Sequence, residues 1–159
     1  MEITMKKTLL ALALFSGMTF AYADTAPAPK IDYLVVQHAN YGTINMVVPI
    51  SENNPKILAF RMKNVNNSFN AIKQYGGKLH VKFVFYGPGI KTFLNPSPEL
   101  QATIDTLRGK GVQFEFCNNT LHNLKIDYHN LYMVEAKDIV PSGFLEATYL
   151  ESKGWVLAN

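Results

Sequence analysis

Strand-like and helix-like segments alternate along the chain from residue 56 onward, and this alternation limits the possible folds more than any other feature of the sequence. The first strand-like segment is the continuous apolar run Ile57–Phe60. Apolar residues then recur at the spacing of one helical face, namely Val65, Phe69 and Ile72. The glycine pair Gly76–Gly77 predicts the end of this helix.

The second strand and the second helix have the clearest patterns. Apolar residues alternate with other residues between Leu79 and Tyr86, which predicts a strand that ends at the turn Gly87–Gly89. Ser97 and Pro98 are typical of a helix N-cap and of the first helical position. The predicted buried stripe of this helix consists of Leu100, Ile104 and Leu107.

The third predicted strand, Val112–Phe116, is followed by shorter elements. A short helix, a short strand, a longer helix and a last strand are predicted at Thr120–Ile126, Asp138–Val140, Pro141–Lys153 and Trp155–Leu157. The longer helix is expected to bury Phe144, Ala147, Thr148 and Leu150.

Five strands with intervening helices predict a three-layer α/β/α fold, flavodoxin-like in outline. Its five-stranded sheet is expected to be mostly parallel and covered on both faces. Right-handed crossover connections place every strand-to-helix loop of such a sheet on one edge. We therefore expect three loops to meet there, at Gly87–Gly89, Cys117–Asn119 and Val140–Gly143.

The amino terminus has the pattern of a cleaved signal peptide, residues 1–23. A basic pair, Lys6–Lys7, precedes the apolar stretch Thr8–Phe20 and a small-x-small site that ends at Ala23. The apolar stretch is shorter than the roughly 20 residues that span a bilayer, which disfavours the rival interpretation of a retained anchor. We expect cleavage after Ala23, a periplasmic or secreted protein, and no stable membrane anchor after processing. Met5 is an alternative start of the chain.

The segment between the signal peptide and the alternating region is harder to interpret. Residues 24–55 are assigned to a leader and an amino-terminal extension, and residues 56–159 to the α/β domain. Asp24–Pro29 is polar and rich in proline, as leaders often are. Tyr33–Val36 and Ile44–Val48 resemble short strands, which we expect to pack on the outside of the domain.

Charge and ligand patterns exclude several classes of function. The chain has 15 lysines and arginines, 12 aspartates and glutamates and a net charge of +3, and its basic residues form no run. Nucleic-acid binding is therefore not supported. The histidines are scattered and do not have the spacing of a zinc site, so no metal is expected. Gly87–Gly89 lacks the lysine and the repeated glycines of a phosphate loop, and no cofactor is expected.

Cys117 is the only cysteine and the candidate catalytic residue. It lies where the third strand meets the next helix, at the edge of the sheet where α/β proteins usually place their chemistry. Backbone N–H groups in the first turn of a helix favour a thiolate and lower its pKa. We expect Asn118 or Asn119 to cap that helix. A small buried residue that closes the strand is an equally good interpretation of a lone cysteine.

Two basic side chains are candidates for acting on this thiol. His122 follows Cys117 by five residues and could approach it across a helical turn, as a base or a charge partner. Lys91, just after the Gly87–Gly89 turn, is the candidate cation. For each of them, an ordinary solvent-exposed side chain is the alternative interpretation.

Three motifs occur in a characteristic order and spacing: Val81–Ile90, Ile104–Leu121, and Val140–Phe144 with Gly154–Trp155. In this combination the chain resembles the DsrE/DsrF-like family of sulfur-relay proteins, over about residues 56–158. The resemblance implies a three-layer α/β fold, homo-oligomers that are often trimers or hexamers, and a persulfide carried on the matching cysteine, Cys117. Asn118 stands where the family usually has glycine.

Two functions from different classes follow. In the first, Cys117 is a sulfur carrier or sulfurtransferase-like nucleophile that exchanges sulfur with a donor or acceptor protein or a small sulfur anion. Gly87 and Gly89, together with helix-end N–H groups, would then bind the anionic sulfur. The remaining binding candidates at this edge are Asn118, Asn119, Thr120 and His122. In the second, the domain is a non-catalytic oligomeric binding module of unknown ligand with a structural cysteine.

Overall fold

The computed structural model describes residues 34–158. The predicted signal peptide and the proline-rich leader lie outside the described residues. From Gln37 onward the described chain forms one compact unit. Of the strand predicted at 33–36, the described residues 34–36 form no strand, and residues 34–42 as a whole adopt neither helix nor strand.

The core of the unit is a five-stranded sheet in which all neighbouring strands are parallel. The strands are β1 Thr43–Ile50, β2 Lys78–Phe85, β3 Gln113–Cys117, β4 Ile139–Val140 and β5 Val156–Leu157. Their order across the sheet is β4-β3-β2-β1-β5. The α/β fold with a five-stranded sheet was predicted from the sequence, and the sheet proves to be entirely parallel.

Four α-helices connect the strands. They are α1 Pro55–Tyr75, α2 Pro98–Gly109, α3 Asn118–Leu124 and α4 Gly143–Ser152. Three short 3₁₀ helices lie at Gly87–Phe93, Tyr128–Asn130 and Ala136–Asp138. Helix α2 was predicted closely: the Ser97 side chain accepts a hydrogen bond from the Leu100 N–H at 3.4 Å, and the three predicted stripe residues are buried.

Helix α1 replaces the strand that the sequence predicted at Ile57–Phe60. The Asn54 side chain caps the helix by accepting hydrogen bonds from the N–H groups of Lys56 and Ile57, at 3.1 and 3.2 Å. Pro55 occupies the first helical position. Helical spacing then buries Leu58 and leaves Phe60 exposed, so the apolar run belongs to two sides of a helix.

Strand β1 lies within the segment that was assigned to an amino-terminal extension. It pairs with β2 along its whole length and with β5 on its other side, so it is an interior strand of the sheet. The strand itself was predicted at 44–48, but its position was wrong. The compact domain therefore includes β1 and does not begin at residue 56.

One face of the sheet, which we call the aromatic face, is closely packed with phenylalanine. Phe83 of β2 stacks on Phe114 of β3, with ring centroids 5.4 Å apart, and Phe85 stacks on Phe116 at 5.1 Å. Phe93 lies edge-on to Phe85 at 4.8 Å. Apolar residues of α1 and α2 complete this core: Leu58, Met62, Val65, Leu100, Ile104 and Leu107.

The opposite face, which we call the α4 face, is covered by helix α4. Its smaller apolar cluster consists of Val47, Val84, Ala147 and Leu150. Lys82 and Glu115 lie on the same face, level with Val47 and Val84 on the neighbouring strands, because side chains alternate between the two faces of a strand. The prediction that α4 buries Phe144 and Thr148 was wrong: Phe144 is 69% exposed and Thr148 is exposed as well.

Within residues 34–158, no helix combines the length and the apolar composition needed to cross a bilayer.

Candidate functional site

The strand-to-helix loops meet at the carboxyl edge of the sheet, as the sequence predicted. The Gly87 N–H, just after β2, donates a hydrogen bond to the Thr120 hydroxyl oxygen in α3 at 2.9 Å. The Asn119 N–H approaches the carbonyl of Pro141, in the loop after β4, at 3.4 Å. The three loops therefore form one connected structure around the end of β3, where Cys117 lies.

Cys117 is buried, with 4% of its surface exposed. It is the last residue of β3 and also the N-cap of α3, with extended backbone angles of φ −70° and ψ 114°. The prediction that Asn118 or Asn119 caps this helix was wrong, because the helix begins directly after the cysteine. The Cys117 side chain therefore lies beside the first turn of α3, whose N–H groups have no partner within the helix.

The surroundings of the sulfur shift its ionisation in two directions. Burial raises the pKa of the Cys117 thiol, because it disfavours the charged thiolate. Hydrogen bonding from the Gly143 N–H lowers the pKa, as do the hydroxyl and N–H of Thr120 and the N–H of Asn119. The second group of effects prevails, and the pKa lies below its ordinary value. The strongest stabilising groups are neutral dipoles at the amino ends of two helices, α3 and α4.

Thr120 connects the thiol to the loop after β2. Its hydroxyl oxygen accepts the Gly87 N–H, so the hydroxyl proton remains available to donate towards the sulfur of Cys117. Thr120 itself is buried, with 9% of its surface exposed. Of the predicted site residues, Thr120 and Asn119 thus act on the thiol, and Gly87 binds the Thr120 hydroxyl.

Gly143 is a member of the site that was not among the predicted candidates. It is the first residue of α4, and a Cβ atom built on it would lie 3.0 Å from the Cβ atoms of both Cys117 and Tyr86. The sequence placed Gly143 in a loop at the correct edge. Its closeness to the cysteine depends on how α4 packs across the sheet, which no local pattern reveals.

Gly89 has a different role from the one predicted. Its N–H donates to the Ser51 carbonyl at 2.9 Å, and a Cβ atom on it would lie 2.5 Å from the carbonyl oxygen of Ile50. The absence of a side chain therefore lets the segment after β2 pack against the end of β1. Lys91, the candidate cation, is exposed in the same 3₁₀ helix and is not among the groups that act most strongly on the thiol.

Asn118 and His122 lie beside the thiol site, on the outer side of α3. Both line an open groove of about 520 Å³, together with Lys125 and Tyr128. His122 is exposed and is not among the strongest influences on Cys117. Among the described non-glycine residues, only Lys125 and Met133 have positive φ, so Asn118 fits its helical position without backbone strain.

A charged pair lies on the same face of β3 as the thiol. The Lys82 ammonium and a Glu115 carboxylate oxygen are 2.6 Å apart, with side chains 19% and 13% exposed. Burial raises the pKa of Glu115, against the opposing effect of Lys82. The other carboxylate oxygen, Oε2, is buried without a hydrogen-bond partner among the described residues. Neither residue was assigned a role from the sequence.

Metal ligands do not cluster in the part of the chain that the structure describes. Among residues 34–158, no group of three or more histidine, cysteine, aspartate or glutamate side chains could hold a metal ion.

Comparisons with known proteins concern nearly the whole compact unit. The sequence model of the DsrE/DsrF-like family matches residues 45–157, a match that begins inside β1. No curated protein matches the chain. Among solved structures, that of MTH1491, a protein of unknown function from Methanobacterium thermoautotrophicum, is similar with a TM-score of 0.62 and 24% sequence identity. The similarity covers 72% of this chain and 97% of that chain, and at this identity it concerns the fold.

Proposed function

The chain belongs to the DsrE/DsrF-like family, and from this premise we propose that it is a sulfur carrier or sulfurtransferase-like protein that uses Cys117. The observation that carries the proposal is the set of hydrogen-bond donors around this thiol. The N–H groups of Gly143, Thr120 and Asn119 converge on it and lower its pKa. A thiolate, rather than a thiol, is the form that attacks sulfur.

The reaction is a sulfur exchange without net oxidation. The Cys117 thiolate attacks the outer sulfur of a donor persulfide; a new S–S bond forms on Cys117, and the donor's S–S bond breaks. The donor leaves as a thiolate with the bonding electron pair. With thiosulfate as donor, the same attack releases sulfite. An acceptor thiolate then takes the outer sulfur from Cys117 by the same exchange, which regenerates the Cys117 thiolate.

The neutral character of the site suits this exchange. A persulfide anion on Cys117 would extend from the sulfur towards the same N–H donors, which satisfy a negative charge without fixing a counter-ion in place. The hydroxyl of Thr120, oriented by the Gly87 N–H, adds one further donor. The substrate that fits these features is a small sulfur anion or the persulfide end of a partner protein.

A second candidate function is favoured by the burial of the thiol. Only 4% of the Cys117 surface is exposed, which is also typical of a cysteine that packs at the end of a strand. In that case the domain is a non-catalytic oligomeric binding module. The two functions differ in whether the native protein accepts sulfur at Cys117.

The intact mass of the purified protein distinguishes them. Incubation with polysulfide or thiosulfate near neutral pH should add the mass of one sulfur atom to the native protein, and the Cys117→Ser variant should gain nothing. A maleimide should label the native protein at the same position. The proposal fails if the native protein gives neither adduct while the denatured chain is labelled fully.

We further propose that the protein is a homo-oligomer, a trimer or hexamer as in the family it resembles. The outer side of α4 exposes three large apolar side chains, Phe144, Leu145 and Tyr149, with 69%, 65% and 53% of their surfaces accessible. Exposed apolar groups of this size on one helix are common at subunit interfaces. Sedimentation velocity should give the mass of three or six chains, and a single-chain mass would refute this proposal.

Export to the periplasm or the exterior remains our proposal for the location of the protein. It rests on the pattern of residues 1–23. Expression of the full chain in a bacterial host should yield a protein in the periplasmic fraction that begins at Asp24. A cytoplasmic protein that retains residues 1–23 would refute it.

A further inference from the structure

Gly143 stands at a position where the backbone itself does not require glycine. It is the first residue of α4, after the N-cap Ser142, and it is not among the glycines with positive φ. The left-handed conformation that favours glycine is therefore not the reason for it here, and most residues would favour a helix more than glycine does. The reason for glycine must therefore lie in its surroundings.

The surroundings leave little room for a side chain. A Cβ atom on Gly143 would lie 3.0 Å from the Cβ atoms of Cys117 and Tyr86, and 3.2 Å from the carbonyl oxygen of Phe85. These distances are shorter than ordinary van der Waals contact, so the start of α4 and the ends of β2 and β3 would have to separate by a few tenths of an ångström to admit a methyl group. Gly109, near the end of α2, has open space around it instead.

We propose that Gly143 is a positioning residue for Cys117: the missing side chain lets the first turn of α4 approach the cysteine closely enough for its backbone N–H to reach the sulfur. The approach brings the amino end of α4 beside Cys117. The inference rests on the proposed function for its purpose, because a sulfur carrier needs the thiolate. Its geometry stands independently of that function.

The pH dependence of alkylation tests this role. In the native protein, the rate at which iodoacetamide modifies Cys117 should follow the thiolate fraction, so the midpoint of the pH profile reports ionisation and the plateau at high pH reports access. Gly143→Ala should move the midpoint to higher pH. Alkylation below the midpoint should slow by roughly tenfold, which corresponds to one weakened hydrogen bond to a charged group. The matched control Gly109→Ala should leave the profile unchanged.

Ser142→Ala covers the case in which Gly143→Ala fails to fold. The Ser142 side chain accepts a hydrogen bond from the Leu145 N–H at 3.4 Å, so its loss should loosen the first turn of α4 without adding volume near the thiol. A smaller upward shift of the midpoint is expected. The inference is overturned if a folded Gly143→Ala protein, or Ser142→Ala in its place, keeps the wild-type midpoint.

The outcome is separable from that of the proposed function. If Gly143→Ala shifts the midpoint but the wild-type protein accepts no sulfur from polysulfide, Gly143 is a positioning residue and the sulfur-carrier proposal fails. If the wild-type protein accepts sulfur and the midpoint is the same in all variants, the carrier proposal stands and Gly143 has no such role.

Discussion

The two faces of the sheet differ in how they are packed. The aromatic face is covered by two helices and filled with stacked phenylalanines, of which Phe83 and Phe114 are fully enclosed. The α4 face is covered by one helix, holds the half-buried pair Lys82 and Glu115, and ends at the thiol of Cys117. Cys117 also packs with the residues of the aromatic core, so the candidate chemistry lies at the edge of the sheet where the two faces meet.

The substitution with the largest expected effect, Phe83→Ala, tests whether the aromatic face dominates stability. Phe83→Ala should lower the free energy of unfolding by about 3–5 kcal/mol, because it removes a fully buried ring and leaves a cavity. The adjacent Val84, equally buried on the α4 face, is the matched control, and Val84→Ala should lower it by about 2 kcal/mol. Urea unfolding measures both. If Val84→Ala lowers the free energy of unfolding as much as Phe83→Ala or more, the aromatic face does not dominate stability.

Thr120→Val tests the edge where the two faces end. Loss of the hydroxyl leaves the Gly87 N–H without its acceptor, which should lower the free energy of unfolding by about 1 kcal/mol. It should also raise the pKa of Cys117, because one donor to the sulfur is lost. Thr120→Ser keeps the hydroxyl and should change the pKa little. A pH profile of alkylation that is identical in all three proteins would show that Thr120 does not act on the thiol.

The charged pair on the α4 face predicts a weaker, pH-dependent effect. Burial raises the pKa of Glu115, so the folded state holds its proton more tightly than the unfolded chain does. Its contribution to stability is fully present below about pH 4, the ordinary carboxyl range, and is lost as the pH rises through the raised pKa. The free energy of unfolding of the wild-type protein should therefore fall relative to that of Glu115→Gln over this interval.

Glu99 is a control of opposite sign for this measurement. A hydrogen bond with Ser97 lowers the pKa of Glu99, so its contribution to stability is lost as the pH falls through that lowered pKa. Relative to Glu99→Gln, the wild-type protein should become more stable as the pH rises. If the difference in unfolding free energy changes with pH in the same way for both variants, burial does not raise the pKa of Glu115 in the folded protein.

The smallest expected effect concerns the outer side of α4. Phe144→Ser should change the unfolding free energy of a single chain by less than about 0.5 kcal/mol, because the ring is 69% exposed. Ala147→Leu, on the buried side of the same helix, should lower it by about 1–3 kcal/mol through overpacking. If sedimentation shows that Phe144→Ser separates an oligomer into single chains, the outer side of α4 is a subunit interface.

Local signals were sufficient where a whole element obeyed one pattern. Helix α2 is defined by local signals alone: the N-cap Ser97, the proline that follows it, and the apolar stripe from Leu100 to Leu107. The alternation in β2 did the same for the centre of the sheet. In these elements, local propensity and tertiary burial agree.

The failures arose where a short pattern had two meanings. The run Ile57–Phe60 is too short to distinguish a strand from a helix. The stronger signal is the N-cap Asn54, followed by apolar residues at helical spacing, namely Leu58, Met62 and Val65. The pairing of β1 with β2 and β5 is long-range, so a strand was recognised but placed outside the domain. Phe144 was expected to be buried because it is apolar. Apolar character alone does not show which side of α4 faces the sheet, and the ring is in fact exposed.

The candidate site was predicted in its location but not in its contacts. Parallel topology alone brought the loops of Gly87, Cys117 and Gly143 to one edge. The start of α3 directly after Cys117 and the close approach of Gly143 depend on distances of a few ångströms, which motif spacing does not report. Gly89 and His122 lie at the predicted edge of the sheet but are not among the groups that act most strongly on the sulfur.

Release of loaded sulfur is the most direct test of Cys117 as a carrier. The protein is treated with polysulfide, freed of excess reagent and then exposed to cyanide, which removes a persulfide sulfur as thiocyanate. We predict one thiocyanate for each loaded chain and none from Cys117→Ser treated in the same way. No thiocyanate from the wild-type protein, or an equal amount from Cys117→Ser, would contradict a carrier function at this thiol.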